Sequence, residues 1–173
     1  MANTTFSGPV RSLNGFISFG PKAVVSLTAD TTLTVATHAG RILTCNDADG
    51  KFTLPSITSG SAAEVAGAND YNVLSNLGCT YTFWVQTLAT DMDIKTDGTD
   101  RFFGAVFIGI DSEATGETFL SSSGSNDVMT MNGTTKGGIV GSFVQFTAIS
   151  SAAYFVRGSL IGTATLATPF ADA

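Results

Sequence analysis

The chain carries one histidine, His38, so any Ser-His-Asp or Cys-His relay would have to pass through it. It stands in "VATHAGR", which reads as a turn between two strands, and there the side chain is expected to be solvated rather than set against a nucleophile. Carboxylates are the next candidates. Asp91 and Asp93 fall on one face of a short strand with Asp97 and Asp100 close behind, and Asp47 and Asp49 lead into Gly50. Either group could bind Ca²⁺ together with carbonyls or waters. The second resembles the start of an EF-hand loop, but Thr58 stands where that loop needs its bidentate Glu. Asp at a strand end more simply forms a turn by bonding its own backbone. No metal and no cofactor is therefore expected; Asp91, Asp93 and Asp97 are the residues a Ca²⁺ ion would use.

Cys45 and Cys79 lack the close spacing and the histidine partners of a zinc site, and each lies in a strand pattern that wants a small apolar residue. Both are expected to be reduced core thiols. The Gly-rich "KGGIVG" lacks the Ser or Thr after its Lys, and the strand and helix around it, that a phosphate loop requires, so it reads as a turn. Phe83 and Trp84 are adjacent in an alternating run and so point to opposite faces, one inward and one outward. Trp84, Tyr71 or Tyr81 could stack on a sugar. Nothing in this set assembles a catalytic constellation, and no enzymatic activity is expected.

The elements that position these residues are strands. Thr 25, Ser 17 and Gly 19 make up over a third of the 173 residues, the composition of pleated surfaces punctuated by turns. Only 13% of residues are charged, about half the usual share for a soluble domain. A surface so weakly charged is poorly solvated alone, which predicts an oligomer or a lattice component, a homotrimer above all. The net charge of −6, with its eight cations scattered, argues against nucleic acid. No apolar run approaches a membrane span, and "MANTTFSGPVRSLNGF" has no basic stretch followed by an apolar one, so the expectation is a protein made in a cytoplasm with no membrane partner.

Residues 1–21 hold Gly8-Pro9, Gly15 and Gly20-Pro21 with Phe6, Phe16 and Phe19 between them. Each X-Pro pair extends the preceding residue, and no helical period appears, so this stretch is predicted to be an extended N-terminal arm. Residues 22–173 read as a single all-β domain. From Lys22 to Leu54 the runs "AVVSLT", "TTLTVA", "GRILTC" and "KFTL" alternate with turn residues, which predicts a β-meander. Residues 55–78 break the rhythm and read as an irregular insertion. Strands resume at Cys79–Gln86, Met92–Lys95, Phe102–Ile110 and Glu117–Leu120, then on both sides of the Asn132-Gly133 turn, and at Ala153–Leu160 and Thr163–Ala167. About a dozen short strands imply a β-sandwich or barrel, jelly-roll-like in outline. In "TYTFWV" and "SFVQFTAI" both alternating faces carry bulky residues, so one side of each strand is expected to be covered by a neighbouring subunit.

The runs "TLTVATHAGRILTCNDADGKFTLPSITS", "GCTYTFWVQ", "NDVMTMNGTTKGGIVGSFVQF" and "AAYFVRGSLIGTATLATPF" together resemble small structural proteins of tailed-phage virions, of the capsid decoration or cement type. The resemblance spans most of residues 27–170, and "TTFSGPVRSLNGF" is similar to the opening of small virion proteins of marine phages. It implies a protein on the capsid exterior that binds the major capsid protein and stabilises the head. The arm, through Phe6, Pro9, Val10, Arg11, Phe16 and Phe19, would then be the capsid-binding element. The alternative is a carbohydrate-binding knob on a head fibre or tail, with Trp84, Tyr71 or Tyr81 stacking on the sugar and Ca²⁺ held near Asp91–Asp100.

Overall fold

The computed structural model describes residues 23–58, 75–122, 124–163 and 165–172. The arm expected at residues 1–21 and the middle of the insertion expected at 55–78 lie outside them. Twelve strands and one helical turn follow in order: β1 (Val24–Leu27), β2 (Thr31–Thr32), α1 (Val35–His38), β3 (Ile42–Cys45), β4 (Lys51–Thr53), β5 (Thr80–Val85), β6 (Met92–Lys95), β7 (Arg101–Ile110), β8 (Gly116–Ser121), β9 (Val128–Met131), β10 (Phe143–Ser150), β11 (Ala153–Gly162) and β12 (Phe170–Ala171). They form two sheets, one of seven strands in the order β1-β3-β5-β10-β11-β7-β8 and one of five in the order β12-β9-β6-β4-β2. The domain is an all-β sandwich. Both sheets are mixed, whereas a jelly roll is antiparallel.

The mixed sheets follow from the path of the chain. Consecutive strands β1 to β7 alternate between the two sheets, and the first four each pair in parallel with the strand two places along: β1 with β3, β3 with β5, β2 with β4 and β4 with β6. The β-meander expected from Lys22 to Leu54 is therefore not what forms. The chain coils around the core, and the later strands β9, β10, β11 and β12 close the two sheets with antiparallel ladders. Strand β7 returns to parallel pairing, beside β11, and turns back into β8.

Alternation still decides which side of each strand is buried. Leu43 and Cys45 of β3, Tyr81, Phe83 and Val85 of β5, Val144, Phe146 and Ala148 of β10, and Tyr154, Val156 and Leu160 of β11 face Phe52, Met92, Ile94, Met129 and Met131 of the smaller sheet. Aromatic rings bind this layer together. Phe146 meets Phe83 edge-on at 5.9 Å and Phe102 at 4.8 Å, and Tyr81 meets Tyr154 edge-on at 6.4 Å.

Three local readings change. "TTLTVA" forms β2 only over Thr31–Thr32 and then turns helical, because Thr34 caps α1 by accepting a hydrogen bond from the Thr37 N–H. The described residues of Thr163–Ala167 lie outside any strand, and the last ladder is made by Phe170–Ala171 instead. Asn132-Gly133 does turn the chain, with Gly133 at φ 70°, but β9 and β10 on its two sides belong to opposite sheets. The turn is a loop rather than a hairpin. Asn132 organises it, its Oδ1 accepting from the N–H groups of Thr134 and Lys136 and its Nδ2 donating to Thr135.

The ends of the insertion are pinned together by Asn76, which is buried. Its Oδ1 accepts from the Thr58 N–H, its Nδ2 donates to the Ser56 carbonyl and its own N–H to the Thr58 carbonyl. One buried side chain thus holds the outgoing segment at Ser56–Thr58 against the returning one at the base of the insertion.

Candidate functional site

The residues that could have carried chemistry are occupied with structure. His38 is buried at the end of α1, and its Nδ1 accepts from the Thr34 N–H at 2.9 Å; burial holds its pKa below the ordinary imidazole value. The solvated turn histidine expected there is instead a local helix clasp. Asp91 and Asp93 do share one side, as their spacing implied, but the Lys51 ammonium sits between them at 2.9 and 3.0 Å. Asp97 lies beyond the other end of β6, accepting from the hydroxyls of Ser56 and Thr99, and the first of these holds its carboxyl below the usual range. The three candidate Ca²⁺ ligands are thus divided between two places. Among the described residues no group of three or more His, Cys, Asp or Glu side chains is placed to hold a metal ion.

Asp100 is buried and accepts from the Ile57 N–H, and desolvation raises its pKa. A depression of about 380 Å³ at that end of the smaller sheet is lined by Thr53, Lys95, Thr96, Asp97, Gly98 and Asp127, whose acids are already hydrogen-bonded or ion-paired. Tyr81, one candidate for sugar stacking, is fully buried and its hydroxyl makes no hydrogen bond. Tyr71 lies outside the described residues, as do Phe6, Pro9, Val10, Arg11, Phe16 and Phe19.

Both cysteines are free. Cys45 is buried in β3 and desolvation pushes its thiol up to about 12; Cys79 is half-buried and its pKa is also raised by burial. A thiol with a pKa near 12 is thiolate in only about one molecule in ten thousand at pH 8, and the thiolate is the reactive form. Iodoacetamide at that pH is expected to label Cys79 in the native protein and Cys45 only after unfolding. Mass spectrometry of time points checks this, and equal rates for the two would contradict it.

What remains is a surface. The outward positions of the seven-stranded sheet form rows that run across the strands. One row is Val24, Ile42, Thr82, Gln145, Arg157, Ala105 and Leu120. The next is Ser26, Thr44, Trp84, Phe143, Ser159, Phe107 and Thr118, and on the other side of the first come Thr80, Thr147, Phe155 and Phe103. Trp84 is 44% exposed, Phe107 45%, Phe143 and Phe155 each 40%, and Leu120 68%. The polar row is internally bonded, Arg157 Nε donating to Gln145 Oε1 at 2.7 Å and Gln145 Nε2 donating to Thr82 Oγ1 at 3.1 Å. Apart from Arg101 at the start of β7, whose guanidinium is paired with Asp127, Arg157 is the one charged side chain at an outward position of these strands.

The outer face of the smaller sheet is of the opposite kind. Lys51, Asp93 and Thr130 form one row across it, linked by the Lys51–Asp93 ion pair and by the Thr130 hydroxyl donating to Asp93 Oδ1 at 2.7 Å, and Thr53 and Lys95 form the next. One face of the sandwich is therefore wet and the other aromatic. The opposed orientation of Phe83 and Trp84 was readable from the sequence. The concentration of apolar residues on one face was not, because it depends on the register of seven strands.

Comparison with known proteins finds no matching family model, no matching curated protein and no matching solved structure.

Proposed function

We propose that the chain is a structural protein of a phage virion, a capsid decoration protein that binds the major capsid lattice from outside and stabilises the head. The observation that carries this reading is the two-faced sandwich: a broad, weakly charged aromatic sheet face in a domain whose potentially reactive side chains are committed to caps, turns and ion pairs. A freely diffusing monomer exposes apolar residues singly, whereas contiguous patches of several hundred Å² mark contact surfaces. The low overall charge and the resemblance of the strand-and-turn runs to small virion proteins support the same assignment. In this reading the copies form homotrimers, and residues 1–21, with Phe6, Pro9, Val10, Arg11, Phe16 and Phe19, make the contact with the major capsid protein. The protein is made in the host cytoplasm and is not an enzyme.

Trp84, exposed on the outer face of the larger sheet, is the observation that favours the second reading, a carbohydrate-binding knob. That reading has less to use, since Tyr81 is buried and Lys51 occupies the Asp91–Asp93 pair. Electron microscopy of purified virions tests the assignment. Density for this chain on the capsid exterior is expected; density confined to the tail, or no copy in the virion, would overturn it. A glycan array that lights up with the wild type and goes dark with Trp84→Ala would favour the second reading instead.

A further inference from the structure

We infer that in the free protein residues 1–22 lie across the outer aromatic face of the seven-stranded sheet of their own chain. This contact stands apart from the virion reading, in which the arm leaves the face to meet the capsid protein. Attachment is the first reason. The described chain begins at Ala23, whose carbonyl accepts from the Ile42 N–H, and Val24 follows it as an outward residue, 46% exposed, on the edge strand β1. The preceding segment therefore leaves from the margin of the face itself. Six strand spacings of about 4.8 Å make that face about 29 Å wide, a distance that about ten extended residues cross. Twenty-two are present.

Spacing is the second reason. Val10, Leu13, Phe16 and Phe19 recur at every third residue, with Pro9 before them and Pro21 after. Three residues make one turn of a polyproline helix, about 9.3 Å, so in that conformation the four side chains fall on one side. Two strand spacings are about 9.6 Å. A segment laid across the strands thus sets an apolar side chain over every second strand, and from Val10 to Phe19 it spans about 28 Å, close to the width of the sheet. Gly20-Pro21-Lys22 supplies the rise of about 10 Å from β1 to a layer packed on its side chains. Arg11, Asn14 and Ile17 fall off the repeat and turn away from the sheet, so the arm buries no charge.

The face suits such a cover. Ser159 stands between Phe143 and Phe107 in one row and Ala105 between Arg157 and Leu120 in the next, so short side chains leave notches among the bulky ones. Arg157 is already bonded to Gln145, and the arm has no acidic residue to draw it away. Tethering decides between this segment and a second copy of the chain. A segment joined to the margin of the face is present there at a local concentration on the order of millimolar, far above that of a second copy in dilute solution.

Trp84, the single tryptophan, lies on β5, two strands in from β1, beneath the path of Phe16 and Phe19. In the full-length protein acrylamide should quench it several-fold less efficiently than in the variant carrying Phe16→Asp and Phe19→Asp. Ile17→Asp, off the repeat, should behave as the wild type. Conversely, Phe143→Lys on the face should speed trypsin cleavage after Arg11 several-fold with an unchanged far-ultraviolet spectrum, whereas Thr53→Lys on the opposite face should not. Equal quenching in the wild type and the Phe16→Asp, Phe19→Asp variant would overturn the inference, with a second copy as the cover if Trp84 stays protected in both. Protection that fades on dilution through the micromolar range would also overturn it, as the mark of a neighbour's arm. So would cleavage after Arg11 as fast in the wild type as in folded Phe143→Lys. If Phe143→Lys fails to fold, the arm variants, which alter none of the described residues, decide by quenching alone. None of these measurements uses a capsid, so their failure is distinguishable from failure of the virion assignment.

Discussion

Gly104→Ala is expected to lower the thermal midpoint by about 10 °C or more, or to prevent soluble expression. Gly104 lies inside β7, paired to Val156 of β11 on one side and to Ser121 of β8 on the other, at φ 140°. Two costs add there. An L residue at that φ is strained by about 1 to 3 kcal/mol. A Cβ would also sit 2.0 Å from the Val156 carbonyl oxygen, a main-chain atom in a neighbouring strand that cannot rotate away. Relieving the overlap means separating β7 from β11, the longest ladder in the molecule. The sum should exceed about 4 kcal/mol, in the rare tail of single substitutions, and each kcal/mol moves the midpoint of a domain this size by about 2 to 4 °C. Gly40→Ala is the matched control, since Gly40 has φ 69° but nothing within 4 Å of the added atom. Thermal scans followed by circular dichroism should separate the two variants widely; midpoints within a degree or two of each other would mean that β7 does not approach β11 in this way.

Gly104 also marks where the sequence stops being readable. Gly133 follows an Asn, so its turn could be inferred from the pair alone, whereas Gly104 sits in "FFGAVFIGI" with nothing nearby to show that a carbonyl of a strand some fifty residues later comes against it. Sheet membership is hidden for a related reason. Period-2 alternation says which side of a strand is buried, and that reading holds for β3, β5, β10 and β11. It carries no information on which of two sheets the strand joins, because a strand in either has the same inward and outward pattern. Between β1 and β2 run only Thr28, Ala29 and Asp30, a length that suits a hairpin, and so the opening strands read as a meander. The chain uses those short links to cross the core instead.

The surface was half legible. Composition predicted too little charge for a fully solvated exterior, and adjacent Phe83 and Trp84 predicted one ring in and one ring out. That Trp84 shares a row with Phe143 and Phe107, and that Lys51, Asp93 and Lys95 gather on the other sheet, follows only from pairings between residues far apart in the chain. Register turns a list of alternating residues into a wet face and a dry one.

An ion pair ties the two sheets together at one end of the aromatic face, and breaking it should have the second large effect. Arg101 begins β7 in the larger sheet, and Asp127 immediately precedes β9 in the smaller one, so their contact at 2.8 Å ties the two sheets together. Arg101 Nη1 donates as well to the Gly98 carbonyl at 2.6 Å and to the Asp100 carbonyl at 3.3 Å, which fixes the loop between β6 and β7. The Asp127 side chain is only 4% exposed. Arg101→Met therefore takes the cation away from a carboxylate in a place from which water is largely excluded, a change that typically costs about 3 to 5 kcal/mol. Asp127→Asn removes the charge but keeps the shape, and should cost less. The double variant Arg101→Met with Asp127→Asn removes the buried charge along with its cation, so it should be more stable than Arg101→Met alone, with a coupling of about 1 to 3 kcal/mol. Urea unfolding of the four proteins measures it, and a coupling within about 0.5 kcal/mol of zero would show that the pair does not hold the sheets. Because Phe103 follows Arg101 by two residues on the same strand side, an Arg101→Met chain that stays folded should also lose order at the Phe103–Phe155 end of the aromatic face while the Trp84–Phe143 end stays in place. Hydrogen exchange should show faster opening at the start of β7 than in β5, and uniform acceleration across the sheet would mean instead that the pair acts on the whole sandwich at once.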